Sequence, residues 1–199
     1  MTLTFSYRKT TQALNYLARQ AGGRINKMEA LKLVYFADRY HLRKFGRPIT
    51  NDEYFAMNFG PVASATKDLA EGSDFRPDVE KQYASQYLDA VSRFEYSSLA
   101  PVEEKVFSQT DLESLAFTWR EFGGSDQFQL AGLTHAYREW KRHEAALSSG
   151  VNSLLKMHFD DFLEDPPAGI NPCHALDARE RVARRDEIAD LREIHNLWN

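Results

Sequence analysis

"KLVYFADRYHLRKFGRPI", residues 32–49, puts a carboxylate where an amphipathic helix should be most apolar. Leu31, Tyr35, Leu42 and Phe45 recur at helical spacing, with Asp38 in the middle of that face. The beginning and end of the helix are written locally. Asn26 can cap it, Glu29 three residues later can complete a capping box, and Ile25 with Ala30 can form a hydrophobic staple. Gly46 suits the left-handed closing position, and Pro48 forbids continuation. The reading then turns on Asp38, which is a catalytic acid, a metal ligand or a buried strut.

On the N-terminal side, residues 7–21 predict a helix with Ala13, Leu14, Leu17, Ala18 and Ala21 on one face and Gly22-Gly23 as its stop. On the C-terminal side, "ITNDEYFAMNFG" holds a turn and then a short alternating strand from Tyr54. Gly60-Pro61 is a boundary, and Pro61 fits the first turn of a helix carrying Val62, Ala65 and Leu69 to Gly72. One or two strands belong within residues 83–99. The second half reads as helical. Ser108 with Asp111, and Asp126 with Gln129, are two capping-box starts. Tyr137 and Trp140 continue a helix toward Leu147, and Leu154, Leu155, His158, Phe159 and Phe162 suggest another. "EDPPAGINP" is a loop or linker before a charged helix over 174–199. In that helix Asp177 with Arg181 and Glu180 with Arg184 have the favourable i, i+4 order. Ile188, Leu191, Ile194 and Trp198 give it an apolar edge.

The chain has 199 residues, 43% of them hydrophobic and 13% aromatic, enough for one domain with a core. No apolar run approaches the roughly 20 residues of a membrane span, and "MTLTFSYRKTTQ" lacks the apolar core of a signal peptide. A cytoplasmic protein is expected. Cys173 is the single cysteine, which excludes an internal disulfide and argues against a thiolate-rich zinc site. A formal charge of −4 argues against a protein whose affinity comes mainly from phosphate contacts.

Asp38 and His41 lie i, i+3 on one helix and could form the orienting half of a nucleophilic triad. Ser64, Thr66 and Thr134 are available hydroxyls, but none sits in a nucleophile elbow. A buried acid accepting hydrogen bonds is the favoured reading. The histidines at 41, 135, 143, 158, 174 and 195 include no H-E-x-x-H and no i, i+4 pair. "AGGR" and "FGGS" follow helices and read as stops rather than phosphate cradles. Lys32, Arg39, Arg43 and Lys44 flank the apolar stripe; with Tyr40 they could contact nucleic acid, but an ordinary solvated face is favoured.

"LKLVYFADRYHLRKFGRPITNDEYFAMNFGPV" resembles the signature of the Panacea-domain family, the SocA-like and phage-associated GepA-like proteins. The matching positions are Lys32, Leu33, Tyr35, Ala37, Asp38, His41, Gly46, Pro48, Ile49, Tyr54, Ala56, Gly60, Pro61 and Val62. "LAGLTHAYREW" resembles a second family element through Leu133, Thr134, His135 and Trp140; Ala131-Gly132 before Leu133 is a small departure. The resemblance covers about residues 7–163. It implies a mainly α fold with a small antiparallel β-sheet, no enzymatic activity and no cofactor. It also implies an antitoxin that binds a cognate protein toxin; one relative acts instead as an adaptor that delivers its toxin to a protease.

The expected organisation is one compact domain over residues 1–165 and a linker with a helical extension over 166–199. The expected fold-supporting residues are Tyr35, Asp38, His41, Gly46, Pro48, Tyr54, Gly60, Pro61, Thr134, His135 and Trp140. Asp38 is expected to be a strut, bonded to His41, to His135 or to the Gly60-Pro61 turn. The expected partner contacts are Arg39 and Arg43 on an exposed face of the helix, and Ile188, Leu191, Ile194 and Trp198 on the tail. A protease as second partner, self-association through the tail, a hydrolase built on Asp38 and His41 or His135, and a nucleic-acid binder through the basic face remain the competing readings.

Overall fold

The computed structural model describes residues 4–197. Its centre is a helix buried on every side. In chain order, α1 (Tyr7–Gln20) and strand β1 (Arg24–Asn26) lead into this helix, α2 (Lys27–Phe45). The local signals place its ends: Asn26 accepts from the backbone N–H groups of Met28 and Glu29, and Gly46 closes it at φ 80°. Nearly every residue from Ala30 to Arg43 is buried, polar ones included. Helix α1 packs on α2, as do two later helices, α5 and α6, whose ranges follow.

A hairpin, β2 (Tyr54–Met57) and β3 (Gly60–Ala63), comes next, then α3 (Ser64–Glu71) and α4 (Asp78–Ala84). Strands β4 (Leu88–Asp89) and β5 (Glu95–Ser98) join β1 in an antiparallel sheet of order β1-β5-β4. Helices α5 (Gln109–Phe122) and α6 (Gln127–Thr134) both start on the expected capping boxes, at Ser108 and Asp126. Two short helices, α7 (Arg138–Lys141) and α8 (Glu144–Ser148), precede β6 (Leu155–Lys156), which completes a second antiparallel sheet of order β3-β2-β6. A 3₁₀ turn (Asp161–Leu163) and α9 (Ala178–Leu197) finish the chain. The fold is α+β, mainly α with two small antiparallel sheets.

Several local readings give way to tertiary pairing. Pro61 does not open a helix: it lies in β3 opposite Ala56, on a sheet edge where its missing N–H costs no ladder bond. Residues 154–162 do not form a helix. Leu155 and Lys156 pair with Ala56 and Phe55 at the free edge of β2, and only a 3₁₀ turn follows. The helix expected through Tyr137 toward Leu147 is broken into α7 and α8. Helix α4 has no counterpart in the sequence reading.

Cys173, Leu176 and Ile188 belong to the same apolar cluster as Leu33, Tyr35 and Phe36 of α2. The acids and bases of α9 also act differently from the expected internal pairs. Asp177 and Glu180 cap one another's backbone N–H groups, at 2.8 and 2.9 Å. Arg181 reaches the Leu163 carbonyl and Asp165, and Arg184 donates to the carbonyls of Arg43 and Lys44 at the end of α2. A helix's last carbonyls lack intrahelical partners, so a guanidinium there satisfies them and complements the helix dipole.

Candidate functional site

Gly46 and Pro48 turn the chain back along α2 and bring residues 49–54 over Asp38. Its carboxylate accepts from the backbone N–H groups of Ile49 (2.7 Å) and Thr50 (3.1 Å), from the Thr50 hydroxyl, and from the Tyr54 hydroxyl (2.9 Å). Burial pushes the carboxyl up from its ordinary range, and those hydrogen bonds oppose it. The partners differ from those expected: they come from the segment after α2, not from His41, His135 or the Gly60-Pro61 turn.

His41 turns away from Asp38. Its Nδ1 donates to the Arg47 carbonyl at 2.6 Å, and its Nε2 faces Thr110 Oγ1 (3.0 Å) and Asp111 Oδ1 (3.2 Å). Burial raises the Asp111 carboxyl, but hydrogen bonds from His41, Lys9 and the Ser108 N–H outweigh it and hold the group well below the usual carboxylate range. Asp38 and His41 therefore stitch two different seams. The sequence reading missed Asp52. It is buried and accepts from the backbone N–H groups of Ala65 and Thr66 and from the Thr66 hydroxyl, so it caps α3 from outside the helix. No spacing rule connects residue 52 to 66, so no local signal announces it.

Arg39 and Arg43 are not on an exposed face. Both are fully buried. Arg39 ion-pairs with Glu139 (2.6 Å), which also accepts from the Tyr35 hydroxyl (2.6 Å), and donates to the carbonyls of Phe162 and Glu164. Its guanidinium stacks over the Tyr137 ring. Arg43 donates to the carbonyls of Phe162, Glu164 and His174 and pairs with Asp165. The strap over 162–174 supplies these acceptors and covers what would be a solvated helix face. Ile188 is likewise buried, at 3% exposure, so it is not a free contact residue. The side chains of Leu191 and Ile194, and the whole of Trp198, lie outside the described residues.

The second family element meets the first at Gly60. Thr134 Oγ1 donates to the Ala131 carbonyl, the His135 ring stacks on Trp140 with centroids 3.6 Å apart, and the Trp140 indole donates to the Met57 carbonyl. Beneath them Lys32 Nζ donates to the Pro61 carbonyl at 2.7 Å. Burial lowers the Lys32 ammonium to about 7. Burial, and then the charge of Lys32, lower His135.

The Lys32 shift has a sign that can be checked. Above pH 7 the folded chain gives up this proton while the unfolded chain holds it to about 10.5. The unfolded state then binds more protons, so stability rises with pH. Its slope is at most about 1.4 kcal/mol per pH unit. Urea midpoints between pH 7 and 9 are expected to climb in the wild type and to stay flat in Lys32→Met. The window closes near 9 because the buried Cys173 thiol, pushed up to about 11, contributes with the opposite sign above that. A falling wild-type midpoint would refute the assignment.

Among the described residues, no group of three His, Cys, Asp or Glu side chains could hold a metal ion, and no helix is long and apolar enough to cross a membrane. The family model described as "Antitoxin SocA-like, Panacea domain" matches residues 31–141, more than half of the chain. The chain belongs to this family. No curated protein and no solved structure matches it. The Panacea span begins inside α2 and ends with α7, so it contains Asp38, Glu139 and Trp140. The strap that receives Arg39 and Arg43 lies beyond it.

Proposed function

We propose that this Panacea-domain protein is an antitoxin that neutralises a cognate protein toxin by binding it directly. Membership of the antitoxin family carries the reading. The interior supports it: Asp38, His41, Asp111 and Glu139 are all engaged in bonds that hold elements together. The surface supports it too, since Phe59, Phe94 and Phe128 are each more than 60% exposed. Aromatic side chains of that kind make effective anchors in protein interfaces. These residues are candidates for the contact surface, whereas Arg39 and Arg43 are buried.

The test is a growth assay. The open reading frame beside this gene is expressed alone and then together with this protein. Arrest by the neighbour, rescue by this protein and a co-purifying complex are the expected results. Persistent arrest with folded antitoxin present, or a harmless neighbour, would refute that pairing. Toxin lifetime in the rescued cells separates blocking, which leaves it unchanged, from delivery to a protease, which shortens it.

A further inference from the structure

We propose that the cavity between α3, α4 and β4 is one half of a two-fold interface between two copies of this chain, in which Phe75 of each copy enters the cavity of the other. The proposal goes beyond the antitoxin reading and does not rest on it.

The cavity has a volume of about 280 Å³. Leu69, Ala84 and Tyr96, all buried, make its floor, and Gly72, Asp89 and Ala90, all exposed, lie at its mouth. The space beside Gly72 is open. An apolar cavity of about 150 Å³ is enough to take up benzene, so this one has room for a phenyl ring. Phe75 lies on the loop between α3 and α4, bracketed in sequence by the lining residues Ser73 and Arg76. It is nevertheless 95% exposed, so it stands beside an opening that it does not fill.

This placement favours a second copy over an unrelated partner. A two-fold interface joins one patch to itself, so that patch must carry both the inserting group and the opening that receives it. Here the two are within a few residues of each other. The charges have the same property. Arg76 and Lys81 line the cavity but are already paired within the chain, with Glu80 and Asp78. Asp68 and Asp89 also line it, and neither carboxylate has an ion pair or hydrogen bond among the described residues. Arg93 is exposed in the turn between β4 and β5. It lies over the Phe94 ring and has no ion pair or hydrogen bond among the described residues either. An unspent acid and an unspent base therefore stand four residues apart, and a two-fold axis through the patch sets Arg93 of each copy against Asp89 of the other. Strand β4 is the outer strand of its sheet, so the patch lies at an edge that a neighbour can approach.

The molar mass of the full chain would be measured by light scattering and sedimentation velocity from low to high micromolar concentration. A reversible monomer–dimer equilibrium is expected. Phe75→Ser removes the inserting ring, and Ala90→Trp obstructs the mouth. Both positions are exposed, so both variants are expected to fold. Each is expected to weaken the dimer about a hundredfold, roughly tenfold for each of the two equivalent contacts. Asp89→Arg and Arg93→Glu each set like charges against one another, and each is expected to be monomeric alone. Their equimolar mixture has an opposite-charge pair at both contacts and is expected to dimerise about as tightly as the wild type. A wild-type chain that stays monomeric throughout, a dimer unaffected by Phe75→Ser or Ala90→Trp, or a mixture that stays monomeric would each overturn the proposal. None of these results depends on the growth assay.

Discussion

Asp38→Ala is expected to destabilise the protein by about 4 kcal/mol or more, counting about 1 kcal/mol for each donor left without its acceptor. The donors are the backbone N–H groups of Ile49 and Thr50 and the hydroxyls of Thr50 and Tyr54. None can recover by turning to solvent, because Asp38, Ile49, Thr50 and Tyr54 are all buried. Asp38→Asn is the sharper variant. It keeps the shape but turns an N–H₂ group toward donors, so a loss of about 2 kcal/mol is expected. Urea unfolding with an unchanged slope gives both numbers directly. On the proposed antitoxin reading, rescue in the growth assay should decline only as far as the folded fraction does. A variant with the wild-type midpoint and no neutralisation would make Asp38 a functional group and return the enzyme question.

The second large effect belongs to Arg39 and Glu139. Each is buried, and each loses its counter-charge when the other is removed. Arg39→Met and Glu139→Gln are each expected to cost about 3–5 kcal/mol. The double variant should cost less than the sum by roughly 0.5–3 kcal/mol, because no lone charge is left behind. It will not return to the wild-type value, since the carbonyls of Phe162 and Glu164 still lose the Arg39 guanidinium. Four urea curves complete the cycle. Strict additivity would mean that the 2.6 Å pair contributes nothing as a pair.

The features legible in the sequence are those decided within a few residues. Asn26 and Gly46 bound α2, and Ser108 and Asp126 open α5 and α6, because a cap needs only its own helix's N–H or C=O groups. Pro61 was misread for the opposite reason. Gly-Pro is compatible with a helix start and with an edge strand, and only pairing with Ala56 selects the strand. Leu155 was misread likewise: i, i+4 spacing cannot register that β2 has a free edge waiting. At the candidate site, burial of Asp38 could be read from the apolar stripe around it. Burial of Arg39 and Arg43 could not, since their acceptors lie 100 residues away or more. Lys32 looked like part of a solvated basic face, and only the descent of Gly60 onto α6 encloses it.

The strap over Arg39 and Arg43 bears on how the protein is born. Helix α2 is synthesised early, yet the carbonyls that receive its two guanidinium groups belong to residues 162–174. Chains fold as they emerge from the ribosome, beginning at the N-terminus. Here the central helix emerges with two guanidinium groups whose carbonyl acceptors appear more than a hundred residues later. The core around α2 is therefore complete only once residues 162–174 have been made. A product cut short before residue 162 would carry an open, charged interior.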